Sequence, residues 1–253
     1  MQKADYSKIA NIYDKGRWLS ETNMNLSLGF ITKYALVTTG AKLLDLGCGT
    51  GRFSIPIVEK LGCIVTGADV SKEMLEKARV KDIQNKVSWD VQDAHNLTYK
   101  DNTFDIVYMS HLLHHCTSPL QVLKECRRVL KPSGVVIIRH CVIEEIESDP
   151  ESTFFPEALE INRKRIVALQ EMLALMKAAG YIKIKSESYV QRSSQSGQEL
   201  YDRMATRNVS ALAMIQQVAF ENGLKRLKEY IQKNPNDPWL QDDKLRITTG
   251  YKK

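Results

Sequence analysis

The stretch Leu43-Leu44-Asp45-Leu46-Gly47-Cys48-Gly49-Thr50-Gly51 decides how this chain is read. Its first half is a short, mostly apolar run that suits a buried strand. Its second half has glycine at every second position. Glycines in such a turn let the backbone take positive φ and let a ligand lie against bare main chain. The predicted helix that follows, Arg52 to Leu61 with Gly62 at the C-cap, directs free N–H groups at the same spot. A Gly-x-Gly-x-Gly turn alone is a weak signal. Asp69 strengthens it, 22 residues after Gly47 and at the close of the next predicted strand, Cys63 to Ala68. In dinucleotide-binding folds an acid about 20 residues on accepts hydrogen bonds from ribose hydroxyls.

Outward from that stretch the chain alternates. Ser71 is a predicted N-cap for a helix with Met74, Leu75 and Ala78 on one face. Val87 to Val91 and Phe104 to Met109 read as the third and fourth strands. Ser118-Pro119-Leu120-Gln121 opens a helix with a capping box, and Val122, Leu123, Cys126, Val129 and Leu130 form its buried stripe. Lys131-Pro132-Ser133-Gly134 stops that helix, and Val135 to Ile138 is the fifth strand. Strands separated by helical stretches predict a parallel sheet covered on both faces.

Beyond, the rhythm lapses over 141–160. A long helix is expected from about Pro156 to Ala179, stopped by Gly180. Tyr181 to Tyr189 reads as a strand, 194–233 as helices, and Leu245 to Tyr251 as a last strand at the sheet edge. The expected fold is α/β and Rossmann-like, a seven-stranded, mostly parallel sheet with helices on both faces. One domain is expected over 1–253, with its core in about 39–140 and 178–253. Segments 1–38, 141–160 and 194–240 are candidate covers.

The glycine-rich stretch resembles the first motif of class I S-adenosylmethionine-dependent methyltransferases, a strand ending D-x-G-x-G-x-G. Asp45, Gly47, Gly49 and Gly51 match it position by position, and Cys48 lies inside it. The nicotinamide fingerprint G-x-G-x-x-G fits less well, because Gly51 comes one residue early. The resemblance continues downstream over about 10–140. It implies that Asp69 holds the ribose, that Val70 packs on the adenine, and that Asp93 and Ala94 bind the adenine amino group and ring edge. Ser110 to His115 resembles the loop after the fourth strand, and Leu130 to Val135 the helix stop before the fifth. In small-molecule members a helix resembling the region of Tyr6, Tyr13 and Asp14 closes over the cofactor. Arg17 then suits the methionine carboxylate, although helix packing and solvated charge explain these residues equally well. The implied cofactor is S-adenosyl-L-methionine, with S-adenosyl-L-homocysteine as product.

Three histidines cluster as His111, His114 and His115, and His140 ends the fifth strand. The H-x-x-H-H spacing has no acid or cysteine pair beside it to close a metal site, so no metal is expected. His111, His114 or His140 is a candidate general base for a hydroxyl or amine acceptor; the alternative is that they only line the pocket. Arg139 could pair with an acceptor carboxylate or phosphate. Phe154, Phe155, Tyr189, Tyr201, Arg203 and Arg207 belong to the covering segments, where core packing competes with a lid role.

Composition narrows the remaining choices. Over 253 residues, 43% are apolar and 26% charged, an ordinary globular balance. No apolar run approaches the ~20 residues of a membrane span, and Met1 to Asp5 lacks the core of a secretory signal. Cys48, Cys63, Cys116, Cys126 and Cys141 form no C-x-x-C pair and read as reduced thiols, so a cytoplasmic location is expected. The net charge of +6 is scattered along helices, and Glu144 to Glu151 would repel a phosphate backbone. A small-molecule acceptor is therefore expected, with nucleic acid as the nearest rival. Met109-Ser110-His111-Leu112 lacks the Pro-rich aromatic tetrapeptide of base-amino methyltransferases. A protein that binds the cofactor without transferring methyl is the other alternative.

Overall fold

A computed structural model describes residues 19–207 and 209–253. Helix α1 (Glu21–Tyr34) leads into β1 (Lys42–Leu46), α2 (Ser54–Leu61), β2 (Ile64–Asp69), α3 (Lys72–Lys81), β3 (Val87–Val91) and β4 (Phe104–Ser110). Then come α4 (Pro119–Val129) and β5 (Leu130–His140). The next elements are helical: α5 (Ile143–Ile146), α6 (Pro150–Phe154), α7 (Pro156–Arg163) and α8 (Leu169–Ala178). Strand β6 (Ile182–Arg192), helices α9 (Gly197–Ala205), α10 (Ser210–Met214) and α11 (Gln217–Lys233), and strand β7 (Asp242–Tyr251) complete the chain.

Among the described residues the strands form one seven-stranded sheet in the order β3-β2-β1-β4-β5-β7-β6. β1 to β5 pair in parallel, and β7 runs antiparallel to β5. The expected α/β, mostly parallel architecture is the one observed. The central strands are apolar on both sides because helices cover both faces: Leu43, Leu44, Ile106, Val107, Val136 and Ile137 are all at most 1% exposed. From β1 the chain winds outward to β3, then returns to the other side of β1 with β4. The order reverses there, and ligands of open α/β sheets bind at the carboxyl ends of strands at such a point.

Local signals set most boundaries. Ser71 accepts the Met74 N–H and caps α3, and Gly62 ends α2 in the left-handed conformation at φ 67°. Ser118 accepts the Gln121 N–H to open α4. The second half of the predicted capping box is replaced, because the Gln121 amide donates to the His95 carbonyl and the Ser118 N–H donates to the His95 ring.

Two predicted features differ. The long helix from Pro156 to Ala179 is broken after Arg163. The Arg165 guanidinium turns back to Asn162 Oδ1 and reaches Ser210 Oγ at 2.8 Å. The Ile143 N–H donates to the Val167 carbonyl, and the Glu144 carboxylate takes the Leu169 N–H that opens α8. These partners are remote in sequence, so 164–168 carries no breaker of its own. The last strand is also not at the edge: β7 lies between β5 and β6. Its Ile247, Thr248 and Thr249 are buried, and Gly250 is covered by Met176 and Tyr181. β6, with Lys183 and Lys185 exposed, takes the edge, where lysines oppose further strand pairing.

The chain separates into two compact units. One comprises Met24–His140, Gln170–Glu187 and Arg246–Lys253, and contains most of the sheet. The other comprises Cys141–Leu169 and Ser188–Leu245 with the described residues up to Asn23. In this second unit Phe154, Phe155, Leu200, Met204, Leu212, Phe220 and Leu227 form a buried core, so Phe154 and Phe155 serve packing here. No described helix is long and apolar enough to cross a membrane.

Candidate functional site

The turn after β1 is built from backbone hydrogen bonds. The N–H groups of Gly47 and Cys48 both donate to the Ala68 carbonyl of β2, at 2.7 and 3.1 Å. The Gly51 N–H closes onto the Cys48 carbonyl at 3.0 Å. Gly47, Gly49 and Gly51 have φ of 72°, 55° and 77°, the left-handed region that side chains resist.

The three glycines are bare for different reasons. A β-carbon at Gly47 would lie 2.7 Å from Leu112 Cδ1, so this glycine seats the loop that follows β4. A β-carbon at Gly51 would lie 2.5 Å from Trp89 Cη2. One at Gly49 would meet no described atom within 4 Å. Gly49 is therefore the turn glycine whose bare main chain no described residue covers.

Asp69, at the end of β2, is tied to the same turn. Its Oδ2 accepts the Gly49 N–H at 2.9 Å and its Oδ1 the Ser71 N–H at 2.9 Å. Burial raises its carboxyl above the usual range, and the main-chain donors pull the other way. A carboxylate offers about four lone-pair sites, so two main-chain bonds leave acceptor capacity. Asp45 lies deeper, 2% exposed, with Oδ2 accepting the Ser54 hydroxyl at 2.5 Å. Burial pushes its carboxyl up to about 7, with Ser54 opposing and Asp69 adding. Burial likewise raises the Cys48 thiol well above its ordinary value, with Asp45 and Asp69 adding, so it stays protonated and unreactive near neutral pH.

Val70 follows Asp69 and is 72% exposed. Asp93 is exposed and Ala94 half-buried, in a short loop joined to β2 through the Gln92 N–H and the Asp69 carbonyl. Asp93 is organised by His95, which the sequence reading overlooked. Asp93 Oδ1 accepts the His95 main-chain N–H at 2.9 Å and lies 2.8 Å from His95 Nδ1. The Ser118 N–H points at His95 Nε2, which assigns the ring proton to Nδ1. The D-x-H spacing, an Asx turn, was the available signal.

On the other side of the switch point, Ser110 ends β4 and its Oγ accepts from Arg139 Nη1 at 3.2 Å. The buried Arg139 guanidinium lies 5.6 Å from the Phe53 ring centroid. His111 takes φ 55°, rare for a residue with a side chain, and its N–H donates to the Arg139 carbonyl at 2.8 Å. His114 and His115 follow on a 3₁₀ turn, with ring centroids 3.9 Å apart, and the His111 ring lies 6.2 Å from that of His114. His140 turns toward β7: it is 6% exposed, with Nε2 2.8 Å from Thr248 Oγ1. Tyr13 and Arg17 lie outside the described residues. Among the described residues, no three of His, Cys, Asp or Glu are grouped to hold a metal ion.

Hydrogen bonds thus join Gly47, Cys48, Gly49, Gly51 and Asp69 into one constellation, with Asp45 two residues before Gly47 on β1 and Leu112 bringing the Ser110–His115 loop onto it. Chemically this is a bare main-chain platform flanked by the buried Asp45 and the half-buried Asp69 carboxyl groups, suited to a hydroxylated, positively charged ligand.

Residues 44–138 match the family described as methyltransferase domain. A 27-O-demethylrifamycin SV methyltransferase of Amycolatopsis mediterranei is 27% identical over 201 residues, 76% of this chain and 72% of that protein. A ubiquinone/menaquinone biosynthesis C-methyltransferase UbiE of Bdellovibrio bacteriovorus is 33% identical over 143 residues, 53% of this chain and 58% of that protein. A solved structure from Anabaena variabilis, assigned as a methyltransferase of an antibiotic biosynthesis pathway, superposes with a TM-score of 0.77. That likeness has 19% identity and covers 90% of this chain and 96% of that one, so it speaks for the fold alone. The chain spans between 40% and 72% of the length of the first curated relatives it matches. The segment that builds the turn and its carboxylate, set within a sheet of this strand order, is thus the part of the chain that is similar to a methyltransferase domain.

Proposed function

We propose that this chain binds S-adenosyl-L-methionine at the glycine turn and catalyses in-line transfer of its methyl group to a small-molecule acceptor, releasing S-adenosyl-L-homocysteine. The observation that carries the reading is the pairing of Gly49 with Asp69: an α-carbon left uncovered among the described residues, its N–H held by a carboxylate that can still accept hydrogen bonds. When bound, the cofactor supplies an electrophilic methyl group on a sulfonium. The chain's own residues bind, orient and exclude water.

In this reading Asp69 accepts from the ribose hydroxyls. Val70, Asp93 and Ala94 frame the adenine. Asp45, through its negative charge, favours the cationic methionine end, and Tyr13, Arg17, Cys48 and Ser110 complete the surround. A base is required only if the attacking atom must lose a proton. His111 and His114, on the loop that Leu112 seats on Gly47, are the first candidates, with His140 as the third.

The acceptor class is supported by the relatives' names, a demethylrifamycin and quinone precursors, one methylated on oxygen and the other on carbon. The acceptor atom stays open between them. We further propose that 1–253 forms one functional domain. All five cysteines are free thiols, which suits a reducing compartment such as the cytoplasm.

The test is incubation of the purified protein with methyl-labelled cofactor against a panel of hydroxylated and quinone-type small molecules, with RNA in parallel. Label in a small molecule is the expected result. Label in RNA alone would replace the acceptor class. Cofactor binding with no label in any acceptor would leave a binding protein and overturn the enzymatic reading.

A further inference from the structure

Trp89 stands on the edge strand β3, paired with Gly67 of β2. The six-membered ring of its indole crosses β2 and reaches the glycine turn. A β-carbon at Gly67 would lie 2.5 Å from Trp89 Cζ3, and one at Gly51 2.5 Å from Trp89 Cη2. Both glycines are bare where the indole rests. The Cys48 sulfur shares that floor, 3.2 Å from the same β-carbon position at Gly67.

The indole is held in place from below. Its Nε1–H donates to Asp82 Oδ2 at 3.2 Å. Asp82 is 5% exposed and also accepts the main-chain N–H groups of Lys86 at 3.0 Å and Val87 at 2.9 Å. A carboxylate fixed by main-chain donors at the start of β3 cannot follow the ring if the ring moves. The Trp89 carbonyl accepts from Arg79 Nη2 at 3.0 Å, which ties the strand to α3.

Each turn glycine therefore has its own anchor from a different part of the fold. Leu112 of the β4 loop sits on Gly47, Asp69 of β2 holds the Gly49 N–H, and Trp89 of β3 lies against Gly51. The Gly51 N–H in turn closes onto the Cys48 carbonyl, so the position of Gly51 sets that of Cys48, Gly49 and Thr50.

We propose that Trp89, braced by Asp82, is a positioning residue that sets the height of the glycine turn and so tunes its affinity for the adenosyl ligand. This rests on the cofactor reading above. Trp89 acts through Gly51 and needs no contact with the ligand. The third glycine of the motif is then glycine to admit an indole, while Gly49 is glycine to admit the ligand.

The test is calorimetric titration of S-adenosylhomocysteine into wild type, Trp89→Leu, Trp89→Phe, Gly51→Ala and the Trp89→Leu/Gly51→Ala double variant. Each is measured below its melting temperature, with indole emission followed in parallel. Trp89→Leu should weaken binding about tenfold, and Trp89→Phe, which keeps an aromatic body but loses the Asp82 tether, severalfold. Gly51→Ala should bind more weakly than the double variant, because removing the indole relieves the clash; contacting residues are expected to be non-additive in this way. The part of the ligand-induced emission change that comes from Trp89 should be lost in Trp89→Phe, leaving only that of Trp18 and Trp239. Wild-type affinity in folded Trp89→Leu, or strict additivity in the double variant, would overturn the proposal while leaving the cofactor reading intact. If Trp89→Leu does not fold, wild-type affinity in Trp89→Phe decides the same way. No heat with wild type would remove the cofactor reading and this proposal together.

Discussion

At the scale of single residues, Asp45 is the carboxyl of the glycine-turn site whose chemistry is strongly displaced. Burial raises its carboxyl to about 7. The folded value lies above the unfolded one, so the stability it contributes is complete below about pH 4 and is lost as pH rises through 7. The melting temperature of the cofactor-free protein should therefore fall between pH 5 and 8, and less so in Asp45→Asn. Affinity for the cationic cofactor should move oppositely, rising by at most about tenfold per pH unit while Asp45 ionises. Two flat profiles in differential scanning fluorimetry and calorimetry would contradict this. Gly49 gives a second residue-scale prediction. Alanine at φ 55° costs about 1–2 kcal/mol of backbone strain but meets no described atom. Gly49→Ala should fold with a modestly lower melting point and bind S-adenosylhomocysteine more than about tenfold more weakly. Wild-type affinity would argue that the ligand lies elsewhere.

Among elements, helix α11 carries a glycine in its middle, at Gly223, where alanine is normally preferred by about 1 kcal/mol. A β-carbon there would sit 2.2 Å from Phe155 Cδ1, whose ring is fully buried. Overpacking of this kind costs about 1–3 kcal/mol. Gly223→Ala should therefore destabilise in urea unfolding, and Phe155→Leu should recover part of the loss. Helix α4 is a smaller case. Ser118→Ala should cost about 1 kcal/mol through its lost cap, whatever becomes of Gln121. Both cases show how far elements could be read ahead of the structure. The α4 start was legible because Ser118, Pro119 and the apolar stripe are adjacent in sequence. The break between α7 and α8 was not, because Glu144 and Ser210 impose it from outside the segment.

For the whole molecule, ligand binding and folding are linked. At a concentration 100 times its dissociation constant, a ligand that binds only the native state adds about 2.7 kcal/mol. For a chain of this size, S-adenosylhomocysteine should then raise the melting temperature by roughly 5–10 °C. Hydrogen exchange should slow most at 47–51 and 69–71, and an unchanged exchange map would speak against the site. The succession of strands along the chain up to β5, the glycine turn and the acidic residues beside it were legible in the sequence. Those features rest on local periodicity, caps and conformational freedom, which neighbouring residues express. Folding of the whole chain is what leaves Gly49 uncovered among the described residues while Leu112 covers Gly47 and Trp89 covers Gly51. It also decided that His95 organises Asp93 and that β7 inserts between β5 and β6. Each of those depends on which distant segments come to lie against one another, and burial and packing of the whole chain settle that, not the preferences of any one stretch.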